Sequence, residues 1–175
     1  RSRNKFGMTA SVRDDYPLTI EIMDELACPR FTCRIIEGIT IKPSPKWIID
    51  RLESYGFRGI NNIVDITNLV MIELGQPLHA FDYDRISGAK MIVRRAKNGE
   101  RVKTLDGFER VLNENAIIIE DSKNLIDLAG IMGGALSEVG KNTKTIVLEA
   151  AIFNPTLIRK TSKEQALVTD ASYRF

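Results

Sequence analysis

The residue with the clearest chemical potential is His79, the only histidine among the 175 residues. Imidazole is the side chain whose unperturbed pKa lies closest to neutrality. A helix-like run ends at Gly75, and Gln76 and Pro77 then turn the chain, so we expect a loop to present the ring. Such a histidine could activate water as a general base, orient a substrate, or only bond the backbone of its own loop.

A single carboxylate, Glu149, interrupts the apolar run Ile146–Ile152. If this side chain faces inward it must find a hydrogen-bond donor, because an unpaired buried charge is very costly. A hydroxyl group of a ligand could be that donor. If the strand alternates with Glu149 on its polar side, the carboxylate meets water instead, and the sequence leaves both possibilities open.

A glycine-rich turn, Ala129–Gly134, follows an apolar strand. Turns of this kind let a ligand approach the backbone and expose N–H donors. The turn lacks the Gly-Lys-Ser/Thr ending of a nucleotide-binding P-loop and does not have the Gly-x-Gly-x-x-Gly spacing. A tight hairpin explains the glycines equally well.

Two small polar clusters, Thr67–Asn68 and Thr169–Ser172, are by themselves typical of capping and local hydrogen bonding. The two cysteines, Cys28 and Cys33, together with one histidine are too few for a zinc site. The cysteine pair favours a reducing compartment with buried or half-buried thiols, and a disulfide between the two stays open. No Ser-His-Asp order or Cys-His pair indicates a nucleophilic mechanism.

The composition, 43% hydrophobic and 27% charged, is that of an ordinary globular domain with room for a core. No apolar run is long enough to cross a bilayer and no signal-peptide pattern is present, so we expect a cytoplasmic location. A net charge of +2 is too small to indicate nucleic-acid binding by bulk electrostatics. RNA contact would need a local patch rather than a solvated face. The two candidate patches are Arg94, Arg95 and Lys97, and Arg159, Lys160 and Lys163.

Short runs of alternating apolar and polar residues predict most of the elements that must position these groups. They are not separated by regular crossover helices, which argues for a strand-rich α+β domain and against a doubly wound parallel sheet. Asp106 and Gly107 form a hairpin signal between two of the strands. The expected strands are Leu18–Met23, Arg30–Glu37, Ile39–Lys42, Met91–Arg95, Arg101–Leu105, Glu109–Leu112, Ala116–Glu120, Leu125–Ile131 and Thr145–Ala151.

About three helices are predicted from capping residues and helical spacing. Ser44 is expected to cap the first helix with Pro45 at its first position, and Asn154 with Pro155 to open the third. Gly75 fits the left-handed residue that ends many helices. The expected helices are Lys46–Tyr55, Asn62–Leu74 and Pro155 to about Gln165.

Five sequence blocks carry a family pattern, in order along the chain: Asn61–Asn68, Glu73–Asp82, Leu128–Gly134, Leu148–Phe153 and Thr169–Phe175. From about Cys28 to Phe175 the chain resembles the B3/B4 region of the bacterial phenylalanyl-tRNA synthetase β subunit. The resemblance implies a three-layer α+β domain with a β-sandwich-like core over residues 17–175, excised from a longer subunit. Residues 1–16, which do not match, are predicted to be a linker or a tail.

In that family the region is an editing site that hydrolyses the ester linking tyrosine to the phenylalanine tRNA. The resemblance implies that Glu149 accepts the tyrosine hydroxyl, supported by the backbone N–H of Gly133. It implies that His79 and the pair Thr67–Asn68 hold the tRNA terminus or the attacking water. The implied wall residues are Arg58, Thr67, Asn68, Gln76, Pro77 and His79, and the implied amino-acid pocket is Gly133, Glu149, Thr169 and Ala171.

The resemblance further implies no metal or cofactor in this domain, since ATP and Mg²⁺ serve the parent synthetase elsewhere. The implied partners are the acceptor end of tRNA(Phe) carrying tyrosine, the rest of the β subunit, and the α subunit of an α2β2 assembly, without a membrane. Two other functions are kept beside this one. The domain could be a non-catalytic scaffold or tRNA-docking module of the same synthetase, or a free-standing binder of small aromatic amino acids.

Overall fold

The computed structural model describes residues 9 and 10 and residues 16–175. Thr9–Ala10 (β1) pairs in parallel with a later strand. The other residues of the predicted linker, apart from Tyr16, lie outside the described part of the chain, so that prediction stays open.

A four-stranded sheet, in the order β1-β3-β11-β4, forms the middle layer of the domain. Strand β11 pairs antiparallel with β3 on one side and with β4 on the other. The long strands of this sheet therefore depend on partners that are distant in sequence. Besides β1, the strands are Arg30–Ile36 (β3), His79–Asp82 (β4) and Ile146–Ile152 (β11).

A five-stranded sheet, in the order β10-β9-β8-β5-β2, forms the second layer, with only β2 and β5 parallel. A separate hairpin, β6 with β7, turns at Gly107, whose φ of 85° confirms the predicted turn. The strands are Thr19–Ile22 (β2), Lys90–Arg95 (β5), Arg101–Lys103 (β6), Glu109–Val111 (β7), Ile117–Glu120 (β8), Leu125–Leu128 (β9) and Met132–Gly133 (β10).

Four α-helices are described where about three were predicted: Lys46–Glu53 (α1), Asn62–Leu74 (α2), Pro155–Glu164 (α3) and Asp170–Arg174 (α4). The bounds of α2 are those predicted, because the side chain of Asn61 accepts the first backbone N–H groups and Gly75 ends the helix at a φ of 72°. Asn154 caps α3 in the same way. The short α4 was missed, and Thr169 starts it with a capping box.

The three layers follow from strand periodicity, which sends alternate side chains to opposite faces. On β11, Val147 packs into the large core between the two sheets, whereas Ile146 packs with Ile63 of α2 on the other face. On β4, Phe81 likewise packs into the core between the sheets, whereas Ala80 packs on the opposite face with Ile146. Helix α2, with α1 packed against it, thus lies on one face of the middle sheet and the five-stranded sheet covers the other, which confirms the strand-rich, three-layer expectation.

Two predictions for the segment between β3 and α1 were wrong. Ile39–Lys42 is not a strand: its backbone is held by single hydrogen bonds, such as the 2.9 Å bond that the N–H of Asn62 donates to the carbonyl of Lys42. Ser44 does not cap α1. Its hydroxyl instead donates a 2.6 Å bond to the buried carboxylate of Asp65, and Pro45 takes the cap position.

None of the helices in the described part of the chain is long and apolar enough to cross a membrane.

Candidate functional site

His79 begins strand β4 and lies directly opposite Glu149 in the pairing of β4 with β11. The expectation of a loop histidine was therefore wrong, because Pro77 leads the chain into the sheet instead of a loop. The half-buried imidazole packs edge-on against Phe81, with ring centroids 4.5 Å apart. Sheet pairing fixes the position of this ring more firmly than a loop would.

The glycine-rich turn is the hairpin between β9 and β10, the simpler of the two explanations of its glycines. The predicted strand Leu125–Ile131 ends early, at Leu128, because the chain turns through Gly130 with a φ of 71°. A Cβ on Gly133 would lie only 2.4 Å from Cε1 of His79. Glycine at this position therefore lets the edge of one sheet touch the imidazole of the other.

Glu149 faces inward, which decides between the two alternatives that the sequence left open. Its side chain shares the strand face of Val147 and Ala151, both in the core between the sheets, and the residue is only 5% exposed. The Oε2 atom has no hydrogen-bond partner among the described residues. Burial raises the pKa of this carboxyl to about 8.

A second buried carboxyl, Asp127 on β9, is 4% exposed, and its Oδ1 atom also lacks a partner among the described residues. Burial raises its pKa well above the ordinary value, the charge of Glu149 adds to the rise, and a hydrogen bond from the backbone of Gly134 partly opposes it. Asp127 was not among the residues predicted from the sequence. The signal was available, because it is a lone carboxylate in an apolar strand, as Glu149 is.

The other ionisable groups near the two carboxyls are neutral at pH 7. Burial lowers the pKa of His79 to about 4. Burial, and then the charge of Glu149, raise the pKa of both Cys28 and Cys33 to about 12, and both thiols are free. The described surroundings thus place no positive charge beside the carboxyls at neutral pH.

His79, Asp127 and Glu149 line one small cavity of about 70 Å³, open to solvent, where the two sheets and the end of the chain meet. Five of the predicted site residues line it: Pro77, His79, Gly133, Glu149 and Ala171. The remaining lining is mostly apolar: Leu78, Asp127, Gly130, Ile131, Met132, Phe153 and Phe175.

Two further predicted residues shape the walls of this cavity without lining it. The Thr169 hydroxyl donates a 2.8 Å bond to the carbonyl of Ile131 and accepts a 3.1 Å bond from the N–H of Ser172. The amide of Gln76 donates to the carbonyls of Pro77 and Ala151, at 2.9 and 3.1 Å. Each thereby ties one wall to a neighbouring element.

Arg58, Thr67 and Asn68 are not among the residues that line the cavity. Thr67 is buried, and its hydroxyl donates a 2.7 Å bond to the carbonyl of Val64 inside α2. Asn68 is half-buried on the same helix, and Arg58 is exposed between α1 and α2. Their roles toward a nucleic acid or a water stay predictions.

The two candidate basic patches differ in their surroundings. Arg94 is held by Glu100 and Glu120, and Arg95 by Asp24, so the first patch is largely neutralised. The second patch lies exposed on α3 and forms no ion pair within the described part of the chain. Its members are Arg159, Lys160 and Lys163.

The arrangement suits the selective binding of a ring that carries a polar substituent. Apolar side chains and Phe153 would surround the ring, and the unpartnered carboxyl oxygens at the buried end would meet its substituent. Within the described residues, no group of three His, Cys, Asp or Glu side chains is placed to hold a metal ion.

Comparisons with known proteins agree with this fold. Residues 27–175 match the family model of the B3/4 domain. The chain is 50% identical, over 158 residues, to the phenylalanine–tRNA ligase β subunit of Protochlamydia amoebophila, covering 90% of this chain and 20% of that subunit. It is 53% identical over 154 residues to the same subunit of Geobacter metallireducens, covering 88% of this chain and 19% of that one. The chain thus spans about a fifth of the length of the curated relatives it matches.

A solved structure has the same fold at low sequence identity. The crystal structure of an N-terminal fragment of the phenylalanyl-tRNA synthetase β-subunit from Pyrococcus horikoshii aligns with a TM-score of 0.60 at 14% identity. The alignment covers 91% of this chain and 51% of that fragment.

Proposed function

The chain belongs to the B3/4 domain family, and from that premise we propose that it is the editing domain of a phenylalanine–tRNA ligase β subunit. In this proposal it hydrolyses the ester of tyrosyl-tRNA(Phe). The relatives that share about half of its residues carry the name of that subunit, which supports the parent enzyme. The proposal that the substrate is the mischarged tyrosyl ester is supported by the properties of the pocket.

The observation that carries the proposal is the unpartnered Oε2 atom of Glu149, buried at the cavity. A phenol that donates its hydroxyl hydrogen to this oxygen would satisfy it, and would stabilise the ionised carboxylate whose pKa burial has raised to about 8. A phenyl ring would leave the same oxygen without a partner. The pocket would therefore favour tyrosine over phenylalanine.

The magnitude of this preference explains why a second site is useful. A hydrophobic synthetic pocket rejects an added hydroxyl by only about a hundredfold, whereas a site built to bond that hydroxyl rejects the analogue lacking it by roughly 10⁴-fold or more. A buried, unpaired carboxyl belongs to the second kind of site. The editing pocket would thus supply the discrimination that synthesis lacks.

His79 would position the attacking water or a ribose hydroxyl rather than remove a proton from it. A histidine whose pKa is about 4 is a weak base at neutral pH, so its neutral ring is better suited to bond the attacking water or a ribose hydroxyl. Hydrolysis of an ester in a positioned substrate does not require a strong base when water and the developing oxyanion are held in place.

The decisive experiment is a deacylation assay on matched tyrosyl-tRNA(Phe) and phenylalanyl-tRNA(Phe). We expect the wild-type chain to hydrolyse the tyrosyl ester selectively and Glu149→Ala to lose that selectivity. Glu53→Ala is a matched control, because Glu53 is an exposed glutamate on α1. A Glu149→Ala variant that still prefers the tyrosyl ester would show that the pocket assignment is wrong.

The same assay addresses the scaffold alternative. A chain that hydrolyses neither ester should be tested again within the complete synthetase, where any missing tRNA contacts are restored. Activity recovered there, and removed by Glu149→Ala, would support an editing domain that depends on its parent. Persistent inactivity would favour a docking or scaffold module.

A further inference from the structure

The carboxyl of Asp127 has no part in the function proposed above, yet it lines the same cavity as Glu149. Each of the two side chains is more than nine-tenths buried and keeps one oxygen without a partner: Oδ1 of Asp127 and Oε2 of Glu149. Neither forms an ion pair with a described residue. Two buried acids with free oxygens at one cavity are not explained by folding, because each unsatisfied group costs stability.

Strand pairing connects the two acids through the site. Asp127 lies opposite Gly133 between β9 and β10, and Glu149 lies opposite His79 between β11 and β4. Gly133 in turn approaches His79 so closely that a Cβ would not fit. The four residues therefore form one continuous cluster across the two sheets.

No described neighbour supplies a positive charge that would let both acids ionise. The titratable groups that face Glu149 are His79 on β4, Cys33 on β3 and Cys28 just before β3, and all three are neutral at pH 7. Like charges that share a buried site oppose each other's ionisation, and the charge of Glu149 raises the pKa of Asp127. At neutral pH the pair therefore holds at least one proton.

We propose that Asp127 is a second specificity-determining residue of the pocket: its protonated carboxyl donates a hydrogen bond to the ring hydroxyl of the ligand while Glu149 accepts the hydrogen of that hydroxyl. The proposal rests on the proposed function and deepens it. A phenolic oxygen both donates and accepts, so it is the substituent that satisfies both acids at once. A ring substituent that only accepts, such as a methoxy oxygen, would satisfy Asp127 and leave Glu149 unpaired.

Two substitutions separate a proton-donating Asp127 from a charged or merely structural one. Asp127→Asn keeps a donor in the N–H₂ group and an acceptor for the bond from Gly134, so tyrosyl selectivity should stay within about threefold of wild type. Asp127→Leu removes the donor, and selectivity for the tyrosyl over the phenylalanyl ester should fall about tenfold, the worth of one hydrogen bond. Asp127→Ala replaces the leucine variant if thermal melting shows that the leucine variant does not fold.

The outcomes of this comparison are distinct. Asparagine and leucine variants that both keep wild-type selectivity would show that Asp127 does not read the ligand. An asparagine variant as impaired as the leucine variant would show that a carboxylate, not a donor, is needed, and would also overturn the proposal.

A measurement without tRNA keeps this test independent of the editing activity. In a chain labelled with ¹³C at the aspartate side-chain carboxyls, the resonance that Asp127→Asn removes should belong to an acid that is still protonated at pH 7. A resonance that titrates below pH 7 would refute the role of Asp127 alone. A wild-type chain that keeps the protonated acid but hydrolyses no tyrosyl-tRNA, alone or in the complete synthetase, would instead refute the proposed function.

Discussion

Replacing Gly133 by alanine tests whether the close approach of the two sheets matters for the site. The added Cβ would lie 2.4 Å from Cε1 and 2.9 Å from Nε2 of His79, and 2.9 Å from Cδ1 of Leu105. Carbon atoms pack favourably at about 3.5–4.0 Å, so the imidazole must move by about 1 Å or more. The edge-on packing of His79 against Phe81 restricts that movement.

Both stability and activity should respond to Gly133→Ala. Overpacking of this kind costs about 1–3 kcal/mol, which for a chain of this size lowers Tm by roughly 2–12 °C. A displacement of about 1 Å at a positioning group reduces the rate by about a hundredfold. We therefore expect a folded variant whose deacylation of tyrosyl-tRNA(Phe) falls about a hundredfold, measured beside its thermal melt.

Two other glycines provide the matched controls. A Cβ on Gly140 would approach nothing closer than a guanidinium nitrogen of Arg85 at 3.8 Å, so Gly140→Ala should change neither property. A Cβ on Gly134 would lie 2.2 Å from the backbone oxygen of Ile126, so Gly134→Ala should mainly destabilise the fold. If Gly133→Ala behaved like Gly140→Ala in both measurements, the argued contact between Gly133 and His79 would be refuted.

Two further results are expected. Burial raises the pKa of Glu149 to about 8 from an ordinary value of 4.5. The stability linked to this group is therefore fully present below about pH 4.5 and is lost as the pH rises through about 8. When Tm is measured across this range, the Tm of Glu149→Gln should rise relative to that of wild type as the pH increases, and a Tm difference that stays constant would contradict this expectation. Replacing Arg159 and Lys160 together by alanine should weaken tRNA binding and reduce the slope of log K against log salt by about 1.4–1.8. The control Arg101→Ala removes an arginine that is already paired with Glu109 and should leave this slope nearly unchanged. An unchanged slope in the double variant would exclude α3 as a phosphate contact.

The elements that were predicted best from the sequence are those whose ends are defined by the residue types at those ends. Helix α2 begins at the cap of Asn61 and ends at Gly75, both recognisable from residue type, and its observed bounds agree with the prediction. Ile39–Lys42 shows the opposite case. Its alternation is real, because Ile39 and Ile41 pack against the core beside Ile146, but none of the described strands pairs with it. Alternation reports burial of one face, not the presence of a partner strand.

The site was only partly predictable for the same reason. Whether Glu149 faced water or the interior depended on which sheet covered β11, and that sheet is built from other parts of the chain. His79 looked like a loop residue because the strand it begins has only four residues and pairs with β11, much later in the sequence. Asp127 could have been found by the argument applied to Glu149.

The pairing of β4 with β11 also determines when the site comes into existence during folding. Asp127 and Gly133 meet through a hairpin, a contact between near neighbours in the chain, whereas His79 and Glu149 meet only after a long segment has closed. Contacts of the first kind form early and those of the second kind form late, because closing a long loop costs entropy before it is rewarded. A chain in which the hairpin has formed but the middle sheet has not would therefore lack His79 and Glu149 from one wall of the pocket. The pocket is therefore complete only once β4 has paired with β11.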